Sequence, residues 1–275
     1  MPCLQGLSFK INSFKDTLLP QLKLPFGLQT FSGGFEYDSE SLSKIIAQQI
    51  RKMKQLKYLC WEGPPIILEE PTNIPLSVEE LILRIWLNDS HQNQVNYMKG
   101  RENLKILKLR IMNYDDRKRC RMLTFHQNLL NLEELNLKLG YMKLDLTNFY
   151  HLLNPETIKI LKIEGFIESP SGCSESELAQ FLHGLCKFPK MLIFELAQMK
   201  IEENDSEDES LVNAILELII NMRRLRGFIL NFPSTSLLSQ RDLILKYLGF
   251  LRTLRYYEIV FTETFEVMHD TLYNH

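Results

Sequence analysis

Short runs in which apolar and polar residues alternate recur along the whole chain. Each follows the pattern L-x-x-L-x-L with conservative replacements. Three copies are plain: Leu104, Leu107 and Leu109; Leu132, Leu135 and Leu137; Ile158, Leu161 and Ile163. The same spacing places Leu4, Leu7 and Phe9, then Leu56, Leu59 and Trp61, then Val78, Leu81 and Leu83. Later copies are Met191, Phe194 and Leu196; Leu225, Phe228 and Leu230; Leu254, Tyr257 and Ile259. A tenth, Leu28 and Phe31, has Gly33 where the third anchor should stand. First anchors lie 22 to 34 residues apart. The alternation at the last two anchors predicts a strand of about three residues in each copy, one face buried.

The intervening segments mostly carry helical periodicity. Asp38 to Lys54 sets Leu42, Ile45, Ile46, Ile50 and Met53 on one stripe. Ser174 with Glu177 forms a capping box before Leu178, Phe181, Leu182 and Leu185, and Ser206 with Glu209 repeats it before Leu211. Ser239 is expected to open a helix bearing Leu243, Ile244, Tyr247, Leu248 and Leu251. Shorter helices are predicted over Asp116 to Leu130, Thr147 to Leu153 and Thr264 to Tyr273. Pro64, Pro65, Pro71 and Pro75 forbid a helix between Glu62 and Leu76, so that unit is expected to be extended on its outer side.

Strand, turn and helix repeated in this way over residues 1–275 resemble the leucine-rich repeat family, in the longer helix-bearing class typified by ribonuclease inhibitor. The resemblance implies an α/β solenoid of about ten units in a single domain, with a parallel concave sheet and helices on the convex side. One strand–helix unit cannot bury its own apolar stripe, so each covers the next. Strands space at about 4.8 Å and helices at about 10 Å, which bends such a stack into a horseshoe. Family members often carry Asn or Cys three residues past the last anchor. Here Asn12 fits, but Met112, Gly140, Phe166 and Met199 do not, so an irregular arc is expected. The motif begins at Leu4 with no capping helix before it. That end is expected either to meet a partner or to continue from a longer protein. The last residues, Met268 to His275, are a candidate cap.

In this arrangement the third, fifth and seventh positions of each copy face the concave side. The central copies present Glu80, Ile82 and Arg84; Ile106, Lys108 and Arg110; Glu134, Asn136 and Lys138; Ile160, Lys162 and Glu164. Five cations and three isoleucines on four successive strands form a candidate partner-binding patch, although cross-strand Lys/Glu pairing would give an ordinary solvated sheet. The carboxyl copies add Ile193, Ile229 and Tyr256 as apolar candidates. Outside these columns, residues 202–209 hold six acids in eight positions. They read as a solvated loop before a helix, or as an acidic contact carrying a modifiable Ser206. Arg117 to Arg121 is a short basic run on the outer side.

Net charge is −2 and the pI is near 6.3, which argues against a protein that coats nucleic acid along its whole surface. Five scattered cysteines without a CxxC argue for free thiols in a reducing compartment. The amino-terminal residues lack secretory and mitochondrial leader features. The longest apolar run, Leu211 to Ile220, is interrupted by Asn213 and Glu217. A soluble cytoplasmic protein is therefore expected. No phosphate-loop, dinucleotide, zincin or nucleophile-elbow motif occurs, and His183 with Cys186 lacks a further ligand pair. No cofactor, metal, small-molecule substrate or catalytic residue is expected. The function implied is a non-catalytic protein–protein interaction module, a structural or scaffold subunit of a multi-subunit complex. The alternatives are a ubiquitin-ligase substrate receptor, which needs an adaptor-binding helical box ahead of the repeats, and an RNA-contacting subunit using Arg84, Lys108, Arg110, Lys138 and Lys162.

Overall fold

The computed structural model describes residues 4–11, 23–35, 40–68, 72–87, 101–113, 121–123, 130–140, 142–144, 146–149, 151, 153–165, 173–198, 201–202, 210–231, 237, 239–260 and 267–271. All ten motif copies become strands of one sheet: β1 (Gly6–Ile11), β2 (Thr30–Phe35), β3 (Tyr58–Gly63), β4 (Glu80–Leu87), β5 (Ile106–Asn113), β6 (Glu134–Leu139), β7 (Ile160–Glu164), β8 (Ile193–Ala197), β9 (Gly227–Asn231) and β10 (Tyr256–Val260). They lie side by side in chain order, every pair parallel. The strands run five to eight residues, longer than the three that the motif core predicts. Pairing continues past the last anchor, as at Ile85↔Ile111 and Ile111↔Leu139.

The register aligns every copy with the next. The second anchors form one row: Leu7, Phe31, Leu59, Leu81, Leu107, Leu135, Leu161, Phe194, Phe228 and Tyr257. From Phe31 to Phe228 these side chains are fully buried. A one-residue slip would turn every anchor to the opposite face, so burial itself fixes this alignment. At the start of each strand a second device repeats. The carbonyl of the residue after the first anchor accepts two backbone N–H groups from the following copy, at 2.7 to 3.3 Å. Gln5, Gln29, Lys57, Glu79, Lys105, Glu133, Lys159, Leu192 and Arg226 all do this, one at each of the nine joints.

Helices cover the anchor-bearing side. Among the described residues they include α1 (Glu40–Ile50), the single turn α2 (Leu146–Phe149), α3 (Glu175–Leu185), α4 (Ser210–Asn221) and α5 (Arg241–Gly249). Their apolar stripes join the strand anchors in one continuous core, with Leu42, Ile46, Phe181, Leu182, Ile215 and Ile244 buried in it. The capping box at α3 forms: Glu177 N–H donates to Ser174 Oγ at 3.2 Å, and Ser174 N–H donates to Glu177 Oε2 at 2.9 Å. That proposed at Ser206 lies outside the described residues. Among the described residues no helix is long and apolar enough to cross a membrane.

Several expectations are corrected. Within the span predicted as a helix from Asp116 to Leu130, Arg121–Leu123 is a short strand paired in parallel with Met142–Leu144. Within the predicted terminal helix, Val267–Thr271 forms β11, antiparallel to β10. There it satisfies the otherwise unpaired backbone of an edge strand, which local helical bonds cannot do. Among the described residues between Glu62 and Leu76 a 3₁₀ turn forms at Pro65–Leu68, because proline is tolerated in the first turn of a helix. Helix α5 starts at Arg241 after Gln240, whose side chain makes no capping bond, rather than at Ser239. Of the helix expected from Thr147 to Leu153, the described residues show α2, His151 in a 3₁₀ conformation and Leu153 outside the helix.

The copy with the lost anchor is explained by aromatic packing. A Cβ built on Gly33 would stand 2.9 Å from a ring atom of Phe31 and 3.0 Å from two of Phe35. Phe35 stacks obliquely on Trp61, centroids 4.4 Å apart, and Phe9 meets both Phe31 and Phe35 edge to face. Trp61 donates its indole N–H to the Pro64 carbonyl at 2.9 Å, so its burial leaves no orphan donor. Gly63 closes β3 at φ +149°, with the Phe35 carbonyl 3.0 Å from where a Cβ would lie. Glycine alone meets both conditions at low cost.

Candidate functional site

Because strand side chains alternate, the positions between anchors share the face opposite the helices. All eleven candidate residues lie there: Ile82, Ile106, Lys108, Lys138, Ile160, Lys162, Ile193, Ile229 and Tyr256 half-buried, Arg84 and Arg110 exposed. The register sorts them into rows. One runs Tyr58, Glu80, Ile106, Glu134, Ile160, Ile193, Gly227, Tyr256. The next runs Cys60, Ile82, Lys108, Asn136, Lys162, Glu195, Ile229, Glu258. The third runs Glu62, Arg84, Arg110, Lys138, Glu164, Ala197, Asn231, Val260.

Four of the five candidate cations are engaged by acids on neighbouring strands. Arg84 meets Glu62 at 3.2 Å, Lys108 meets Glu134 at 3.2 Å, Lys162 meets Glu195 at 2.8 Å, and Lys138 pairs with Glu164. Burial opposes the charge of Lys162. Its hydrogen bond to Glu195, with the charges of Glu195, Tyr256 and Glu134, outweighs that and holds the ammonium above its ordinary value. Among the described residues Arg110 pairs with no carboxylate. Over the three rows and their continuation through β1 and β2, six cations face six acids. The basic patch read from the sequence is thus locally neutralised. The partners Glu62 and Glu195 were findable by reading each row one unit further.

In the carboxyl half of the face the first row is apolar, beside charged positions in the other two. Ile160 and Ile193 are direct cross-strand neighbours. The next rung, Gly227, has no side chain, and the Tyr256 ring lies across it, where an added Cβ would collide with the ring. Tyr256 therefore extends the isoleucine row over a gap, with Ile229 alongside on β9.

Two polar ladders were not anticipated from the sequence. On the rim before the strands, Lys57–Glu79 (2.6 Å), Glu79–Lys105 (2.8 Å) and Glu133–Lys159 (2.5 Å) alternate in sign from unit to unit. Lys105 and Lys57, both hydrogen-bonded to Glu79, hold its carboxyl down at about 2. The second ladder ties units to the ones before them through side chain to backbone bonds. Just before the first anchor, Ser77, Asn103, Asn131, Thr157 and Thr253 each donate to a backbone carbonyl of the preceding unit, at 2.6 to 3.0 Å. A polar residue followed directly by an apolar anchor was the available signal.

On the outer side, the short unit between β3 and β4 leaves an open cleft of about 440 Å³ beside the end of α1, lined by Arg51, Lys54, Thr72, Ile74, Pro75, Leu76 and Ser77. His183 meets Glu217 of α4 at 2.6 Å on the helical surface. Burial, then the Glu217 charge, pushes the Cys186 thiol up to about 11. Among the described residues no three His, Cys, Asp or Glu side chains gather as a metal site. The acidic residues 203–209 and the basic residues 117–120 lie outside the described residues.

Comparison with models of known protein families finds no match, and none is found among curated proteins.

Proposed function

We propose that the chain is a divergent leucine-rich-repeat horseshoe whose open sheet face is the concave side. In this reading it is a non-catalytic protein-interaction module, a structural or scaffold subunit of a larger assembly. The supporting observation is the row Ile160, Ile193 and the Tyr256 ring over Gly227, apolar and half-exposed on a sheet face that none of the described helices covers. Large contiguous apolar patches on a protein surface mark protein contacts, and this row supplies the apolar core of one. An RNA-contacting role is weakened by the ion pairs, since a cation already matched by a carboxylate has less to give a phosphate.

Purification of the tagged chain under native conditions, followed by mass spectrometry, tests this reading. A stoichiometric partner is expected, and Ile193→Glu and Tyr256→Glu should each release it while leaving circular dichroism unchanged. A chain recovered alone and monodisperse would overturn the assembly reading. Ligase subunits among the partners would single out the substrate-receptor form, and RNase-sensitive capture the RNA form.

A further inference from the structure

We infer that Arg110 is the anchor for a carboxylate side chain of an acidic protein segment lying along the open face. The inference rests on the docking reading above and names the chemistry of the partner. In the outermost row Arg84, Arg110 and Lys138 are direct neighbours on β4, β5 and β6. Lys108, two residues before Arg110 on the same strand, faces the same way. Four cations thus crowd together, about 5 Å from strand to strand. Each of the three around Arg110 has its acid on the far side: Glu62 beyond Arg84, Glu134 beside Lys108, Glu164 beyond Lys138. The acids draw their partners outward. Arg110 remains in the centre, exposed and, among the described residues, without a carboxylate.

Like charges on adjacent strands destabilise a sheet unless something compensates them. A guanidinium presents a planar fork that a carboxylate fits with two parallel hydrogen bonds. The island spans only three strands, roughly 10 Å, before Glu62 and Glu164 bound it. A nucleic-acid backbone crossing the face would meet those carboxylates within a few phosphates. One acidic side chain meets none. Ile82 and Ile106, diagonal to each other beside the island, offer apolar contact to residues flanking that acid.

The test uses the full 275-residue chain. The probe is a fluorescein-labelled decapeptide of alternating leucine and glutamate, with a leucine–glutamine decapeptide and a ten-nucleotide oligouridylate as controls. The glutamate peptide should bind at low salt and weaken as salt is added. Arg110→Gln should weaken it about tenfold and Arg110→Lys less, with the glutamine peptide unaffected. Arg110→Gln should also raise the melting temperature at low salt, because it removes repulsion; a fall would overturn the crowding argument. Equal binding to wild type and Arg110→Gln, no binding of the glutamate peptide, or oligouridylate binding that depends on Arg110 and exceeds that of the peptide would each overturn the proposal. If Ile193→Glu releases the native partner while Arg110→Gln leaves both partner and peptide bound, the docking face stands and acid recognition fails. If neither substitution has any effect, both fail.

Discussion

Phe35 occupies the space that Gly33 leaves in the third-anchor row, its ring 3.0 Å from where a Cβ on Gly33 would lie. The two residues share a strand, and the larger fills the volume of the smaller from one rung further along. Gly33→Leu would restore the motif yet force Phe31, Phe35 and Trp61 out of their packing. Overpacking of this kind costs about 1–3 kcal/mol. Urea denaturation should show a lower midpoint for Gly33→Leu; a stabilised variant would show that the aromatic cluster is not tight.

Glu79 links Lys57 and Lys105 across three units, and its carboxyl stays ionised down to about pH 2. Its pKa is depressed below the ordinary 4.5, so its contribution is whole above 4.5 and is lost as pH falls from there through about 2. Wild type should therefore lose stability faster than Glu79→Gln across that window, and the gap should shrink in high salt because the pairs are exposed. Melting curves at stepped pH measure this. Parallel curves for the two proteins would rule out the linkage.

Arg101 is buried, with Nη1 donating to the Ile74 carbonyl, and burial presses its guanidinium down to about 10. It ties the loop after the 3₁₀ turn to the next unit. Arg101→Met keeps much of the volume but orphans that carbonyl, at a cost of about 1–3 kcal/mol. Chemical denaturation should show the loss, and an unchanged midpoint would mean that another donor takes over.

Cys186 should resist alkylation. With its pKa near 11, about one molecule in a thousand carries the thiolate at pH 8. Iodoacetamide should label it slowly in the folded protein and readily in urea, followed by peptide mass spectrometry. Glu217→Gln should speed the reaction by removing the second cause of the shift. Rapid labelling of the native chain at pH 8 would contradict the burial.

The strands were legible because their signal is local and repeated: Leu107 and Leu109 announce a buried face whatever follows them. The outer segments were less so. Val267–Thr271 reads as helix when taken alone and becomes a strand because β10 offers it an edge, a fact of tertiary context that no window of sequence holds. The candidate face was legible in membership but not in charge state. Column positions follow from alternation, whereas the pairing of Arg84 with Glu62 or Lys162 with Glu195 depends on the neighbouring strand. Tyr256 was foreseen as a surface residue. Its ring reaching over Gly227 was not, since the vacancy lies a unit away in the chain.

The doubled carbonyl acceptors sit at one fixed point, just before each strand begins. Units of 22 and of 34 residues therefore meet their neighbours through the same joint, and their extra residues are accommodated elsewhere. A foreign segment spliced into an outer connection should therefore lengthen one unit while the seams on either side stay closed.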